Sequence, residues 1–182
     1  MPRKPDPEVE KRILEAARQL YLKGGDQALS MRKLARTAHT NTPTIYKRFK
    51  NRRQILAALV ELMQQDLFAT LEPCTSLQES MRCYLEFALA HPHEFQLVNA
   101  GIFSKIQVGR PNLELIRRRA AEWLGGSEED HTGLVLALWA LLHGTATLLI
   151  SKAVPSSYED KLRSVSSKTI ELIVQNARLI SP

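Results

Sequence analysis

Apolar residues recur along the chain at intervals of three and four, the signature of helices with one buried face. Val9, Ile13, Ala16, Ala17, Leu20 and Tyr21 form the first such stripe, and Gly24-Gly25 is placed to end it. Ser30 is positioned to cap a short second helix carrying Met31, Leu34, Ala35 and Ala38. The polar run His39 to Thr42 predicts a turn, with Asn41 or Thr42 capping a third helix that admits Pro43 in its first turn and reaches about Phe49. Asn51 opens a long helix with Ile55, Leu56, Leu59, Met63 and Leu67 on one side, closed by Pro73. Thr75 and Gln78 have capping-box spacing and predict the start of the next helix, through Met81, Leu85 and Leu89 to the His91-Pro92 break. An apolar helix to about Phe103, a loop at Gly109 to Pro111, an amphipathic helix from Leu113 to Leu124 and a stop at Gly125-Gly126 follow. Asp130 to Ser151 and Ser157 to Leu179 complete the pattern, with Val154-Pro155 between them. No segment alternates with a period of two, so the expected fold is all-α with about nine helices.

Charge divides this helical chain in two. The whole carries +6. Residues 1–56 hold 14 Lys and Arg against five Asp and Glu, a net of +9, leaving −3 for residues 57–182. A basic head on a slightly acidic body suggests that the head meets a polyanion. We therefore expect two domains, 1–56 and 57–182, joined by the helix after Asn51 without a linker. The charged first 15 residues do not read as a signal peptide, and two cysteines are too few for a secreted disulfide scaffold, so the expected compartment is the cytoplasm.

Three short helices, the last two separated by a tight turn, fit a helix-turn-helix. One helix must enter the DNA major groove while its predecessor braces it across the backbone. The third helix offers Thr42, Thr44, Tyr46, Lys47 and Arg48 within two turns, while Ile45 and Phe49 can face Leu34 and Ala35. Arg32, Lys33 and Arg36 line the second helix, and Arg52 and Arg53 open the fourth, within reach of phosphates.

Leu34-Ala35-Arg36, Ala38, Thr44-Ile45-Tyr46-Lys47-Arg48-Phe49 and Ile55-Leu56 together resemble the DNA-binding head of TetR/AcrR-type transcriptional regulators. The resemblance covers about Val9 to Leu59. It implies that Thr42 to Lys47, with Pro43 among them, face the operator, and that Arg52 stands where the family usually has a phosphate-contacting lysine. His39 occupies a turn position at which the family has glycine, so a positive φ is expected there, with some strain. Pro43 replaces a second common glycine. More loosely, His91-Pro92-His93-Glu94-Phe95-Gln96-Leu97-Val98 is similar to a segment of many TetR-type ligand domains, and Trp139, His143 and Gly144 resemble the pattern of a Trp-His-Gly branch. The family logic implied is an all-α homodimeric repressor on a palindromic double-stranded DNA operator, released by a small-molecule effector.

Gly133 to Ile150 carries no Asp, Glu, Lys or Arg, near the lower length for a membrane span. Its polar and glycine positions favour a core or interface helix instead, and no membrane partner is expected. With the last helix it could form a four-helix dimer interface, and Val135, Leu138, Leu142, Leu149, Leu162, Val165 and Ile173 are candidates for mixed core and interface. Trp139 and His143 stack at a four-residue spacing, and Phe87, Phe103 and Trp123 are further candidates to line an effector site, with Phe95. Core packing explains the same residues as well. Cys74 and Cys83 match no metal-ligand spacing, no nucleophile or phosphate-loop motif is present, and neither cofactor nor catalysis is expected. Two other readings fit a helical chain: a small-molecule carrier, or an interaction protein whose DNA-binding head is degenerate.

Overall fold

The computed structural model describes residues 7–99 and 111–179. Among them are nine α-helices and no strand. They are α1 (Pro7–Ala28), α2 (Met31–Thr37), α3 (Thr42–Arg48), α4 (Arg52–Leu71), α5 (Leu77–Ala90), α6 (Pro92–Asn99), α7 (Pro111–Leu124), α8 (Thr132–Ile150) and α9 (Ser156–Gln175). Short 3-10 turns precede α8 (Glu129–His131) and follow α9 (Ala177–Leu179).

The ends form where polar side chains meet orphan amides. Ser30 accepts from the Lys33 N–H (3.3 Å), Asn41 from Thr44 (2.9 Å) and Asn51 from Gln54 (3.1 Å). The α1 pattern breaks at Gly24 and Gly25, where φ of 58° at Gly25 suits a residue without Cβ. At α5 the cap lies one residue later than the spacing of Thr75 and Gln78 indicated. Ser76 accepts from the Glu79 N–H (3.1 Å), and the Glu79 carboxylate accepts from the Thr75 amide (2.7 Å) and hydroxyl (3.0 Å). These bonds hold the Glu79 carboxyl below its ordinary range. The same box opens α4, where Gln54 Oε1 accepts from the Lys50 N–H (2.6 Å).

Two compact units result. The first comprises described residues 7–63 and 93–99, the second 64–92 and 111–179, so α4 runs unbroken from one into the other. In the first unit Ile13, Ala17, Tyr21, Leu34, Ala35, Ile45, Phe49, Ile55 and Leu59 share one core. Leu97 of α6 joins that core, and Glu94 of α6, 3% exposed, accepts from Arg18 of α1 at 2.9 Å.

In the second unit α8 buries Leu134, Val135, Leu138, Leu142, Ala146 and Leu149 against α5, α7 and α9. Between α8 and α9, Thr145 donates its hydroxyl to Leu141 O, so Ser166 donates to Thr145 across 2.9 Å. Arg119 of α7 clamps the end of α4, donating to Leu71 O (2.6 Å), Ser80 (3.0 Å) and Glu72 O. Burial above all pushes the Cys83 thiol up to about 11, with Cys74 adding to the shift. Helix α8 with its preceding turn is long and apolar enough to cross a membrane, but one whole face is packed within its own bundle.

Candidate nucleic-acid interface

The α2–α3 unit is set by two short helices and the turn between them. Helix α2 ends in a Schellman motif: His39 donates to Arg36 O (3.2 Å) and Thr40 to Ala35 O (2.9 Å). The motif needs a left-handed residue, and His39 takes φ of 49°. The positive φ expected of this histidine is therefore present. Asn41 follows in extended conformation and starts α3.

Ile45 is fully buried and fixes which side of α3 faces inward. At about 100° per residue, Pro43 and Lys47 then lie opposite, flanked by Tyr46 and Thr44. Exposure follows that geometry: Pro43, Tyr46 and Lys47 are exposed, Thr42, Thr44 and Arg48 half-buried. Tyr46 leaves half its surface in solvent, unusual for an aromatic beside a core. Arg32, Lys33 and Arg36 of α2 are exposed as well.

Arg48 and Arg52, both named from the sequence, have internal partners. Arg48 lies 3.9 Å from Glu10 of α1. Arg52 donates from Nη2 to Asp26 O (2.7 Å) and Asp26 Oδ1 (2.6 Å), and from Nε to Leu29 O (3.1 Å). Arg52 thus sews the start of α4 to the link between α1 and α2. Burial and the nearby Asp26 carboxylate push the Tyr21 hydroxyl above its ordinary range, with Arg52 opposing.

The residues named for an effector fall in several places. Trp139 donates its indole N–H to the Tyr84 hydroxyl (3.2 Å), which pairs with His143 Nδ1 (3.1 Å). The Trp139 and His143 rings sit 5.0 Å apart. Burial pushes the Tyr84 hydroxyl up to about 12 and the His143 imidazole down, so both stay neutral near pH 7. Tyr84 carries this cluster and was not singled out from the sequence: its partners lie 55 and 59 residues away. Phe87 is buried with its ring 4.5 Å from that of His91, Trp123 is half-exposed at the end of α7, and Phe95 is buried in the first unit. Phe103 lies outside the described residues.

The uncovered apolar surface of the second unit is ordered. On α9, Tyr158, Val165 and Leu172 are each more than half exposed at seven-residue spacing, and Leu179, in the following turn, continues the interval. On α8, Leu136, Trp139 and Leu148 are exposed as well.

Residues 13–59 match the family model described as bacterial regulatory proteins, tetR family, and residues 77–169 match one described as tetracyclin repressor-like, C-terminal domain. No curated protein matches the chain. Among solved structures, a protein of unknown function from Rhodococcus sp. RHA1 shares 23% identity and a TM-score of 0.71, over 93% of this chain and 95% of that one. TetR from Acinetobacter baumannii AYE shares 18% with a TM-score of 0.71, over 97% and 98%. A variant of TetR from A. baumannii AYE in complex with minocycline shares 20% with a TM-score of 0.69, over 98% and 100%. At these identities the structures establish a shared all-α fold.

Proposed function

The chain belongs to the tetR family of bacterial regulatory proteins and is a DNA-binding transcriptional regulator; we propose that it is a cytoplasmic homodimeric repressor, binding a palindromic operator and released by a small molecule. The observation that carries the DNA side is α3: a short helix pinned by Ile45 and Phe49, presenting Pro43, Tyr46 and Lys47 outward beside the exposed cations of α2. A protruding helix of that kind fits the major groove, and Arg32 and Lys33 are placed to flank it on the phosphates. Thr42, Thr44 and Arg48 complete the DNA-facing set. We give Arg52 a supporting part, since its guanidinium is occupied by Asp26 and Leu29.

The exposed stripe Tyr158, Val165, Leu172 and Leu179 supports dimerisation through the last two helices, as does the uncovered side of α8. Surface of this kind is expected to be covered by a second copy. Two α3 helices must then meet successive major grooves, about 34 Å apart. The minocycline complex of the Acinetobacter variant supports an effector site in this fold, which we assign to the body around Trp139 and His143.

The test is equilibrium binding of the purified full chain to duplexes from its own promoter region across a salt series. Sequence-selective binding with a steep salt dependence is expected, and Lys47→Ala should weaken it while lowering the log–log slope by about 1. Absence of any sequence preference at low salt would reject the reading.

A further inference from the structure

Thr44 flanks the outward side of α3, and its hydrogen bonds to Asn41 determine what its hydroxyl can offer to DNA. Asn41 Oδ1 accepts the Thr44 backbone N–H at 2.9 Å. A backbone N–H only donates, so the atom of Asn41 facing it must be the amide oxygen, not the nitrogen. That same oxygen lies 2.8 Å from Thr44 Oγ1. An amide oxygen only accepts, so the Thr44 hydroxyl must spend its single proton there. What remains on Oγ1 is lone-pair density, with no proton for a third group. Both bonds are solvent-exposed at the start of α3, next to Pro43.

We propose that Thr44 is a specificity-determining residue that reads the exocyclic amino group of adenine or cytosine in the major groove, with Asn41 as the positioning residue that makes its hydroxyl an acceptor. This rests on the reading of α3 as the groove-entering helix. In the major groove adenine N6 and cytosine N4 are the donors, while guanine O6 and thymine O4 are acceptors. An acceptor-only hydroxyl bonds the first pair and sets lone pair against lone pair with the second. Each base pair carries one such amino group, so Thr44 reports which strand bears it. It separates A·T from T·A and C·G from G·C, and leaves A and C less distinguished from each other. The Asn41 bond thus fixes the polarity of the Thr44 hydroxyl.

The experiment is selection of bound duplexes from a random-sequence pool by the full-length protein, wild type and variants in parallel, with circular dichroism confirming the helical fold of each. The wild type is expected to show one position per half-site where adenine or cytosine exceeds guanine or thymine by about fivefold, the worth of one net hydrogen bond. Thr44→Ser and Asn41→Asp, which keep hydroxyl and acceptor, retain the preference even if overall affinity falls. Thr44→Val, of nearly the same shape, flattens that position alone. Asn41→Ala returns the proton to the hydroxyl, and guanine and thymine reappear at the same position. An unchanged profile for Thr44→Val, or guanine or thymine at the wild-type position, overturns the proposal. If the wild type enriches no sequence at all, the reading of α3 itself falls, and the proposal with it; that result is seen before any variant is used.

Discussion

Replacing His39 by glycine should make the protein more stable, although it removes a side chain. His39 holds φ of 49° to complete the turn after α2, and its neighbours' amides bond Arg36 O and Ala35 O through that conformation. A left-handed conformation costs an L-residue about 1–2 kcal/mol. Glycine escapes that cost but loses about 0.5–1 kcal/mol more backbone entropy on folding. The imidazole is exposed, so its removal forfeits little packing. The balance is a gain of about 0.5–1 kcal/mol for His39→Gly. In a chain of this size it raises Tm by about 1–4 °C. His39→Ala isolates the cause, because alanine keeps the left-handed cost while also losing the ring; it should be neutral or slightly destabilising. Thermal or urea unfolding at one fixed protein concentration measures all three. Lys152, at φ of 53° after α8, closes a second Schellman motif, with its N–H on Leu149 O (3.2 Å) and that of Ala153 on Leu148 O (3.1 Å). Lys152→Gly should gain by the same reasoning. If His39→Gly proves less stable than His39→Ala, the turn is not the one described and the reasoning fails.

Other consequences can be checked directly. Arg52→Gln removes the clamp between α4 and the α1–α2 link, so it should cost about 1 kcal/mol of stability while the salt slope of DNA binding stays at the wild-type value; a slope reduced by about 1 would mark Arg52 as a phosphate contact. Leu172→Glu puts a charge into the α9 stripe and should give a monomer by sedimentation, with specific DNA binding weakened at least tenfold; a dimer with unchanged affinity would place the interface elsewhere. Cys83, raised to about 11 chiefly by burial, is almost entirely thiol at pH 8. Its lower thiolate fraction outweighs the gain in intrinsic nucleophilicity, so alkylation should run roughly tenfold or more slower than for a free thiol and still accelerate above pH 9. Peptide mapping after timed labelling gives that rate, and labelling at the pace of glutathione would contradict it.

How far the chain could be read in advance depended on sequence distance. The helices and most caps are local, set by periodicity and by a polar side chain three residues before its amide, and Ser30, Asn41 and Asn51 behave as their spacing suggests. The α5 cap shows the limit of local rules. Thr75-x-x-Gln78 and Ser76-x-x-Glu79 are both capping-box spacings one residue apart, and the chain uses the second. The outward face of α3 follows from the position of Ile45, so Tyr46 and Lys47 were legible as candidates. What escaped was tertiary. Nothing in periodicity pairs Arg52 with Asp26, brings Tyr84 to Trp139, or joins Leu97 of α6 to the core of the first unit. The cysteines, nine residues apart, read as separate apolar fillers until the fold set one thiol against the other.

The seven-residue stripe on α9 bears on gene dosage. If only a pair of chains, joined along Tyr158, Val165, Leu172 and Leu179, places two α3 helices on one site, promoter occupancy rises with the square of copy number while monomers predominate. It becomes linear once pairs predominate. The strength of this seam then sets the expression level at which the promoter fills. A single substitution there could move that threshold up or down with every DNA-facing residue unchanged, so the helix farthest along the chain from α3 would tune its sensitivity.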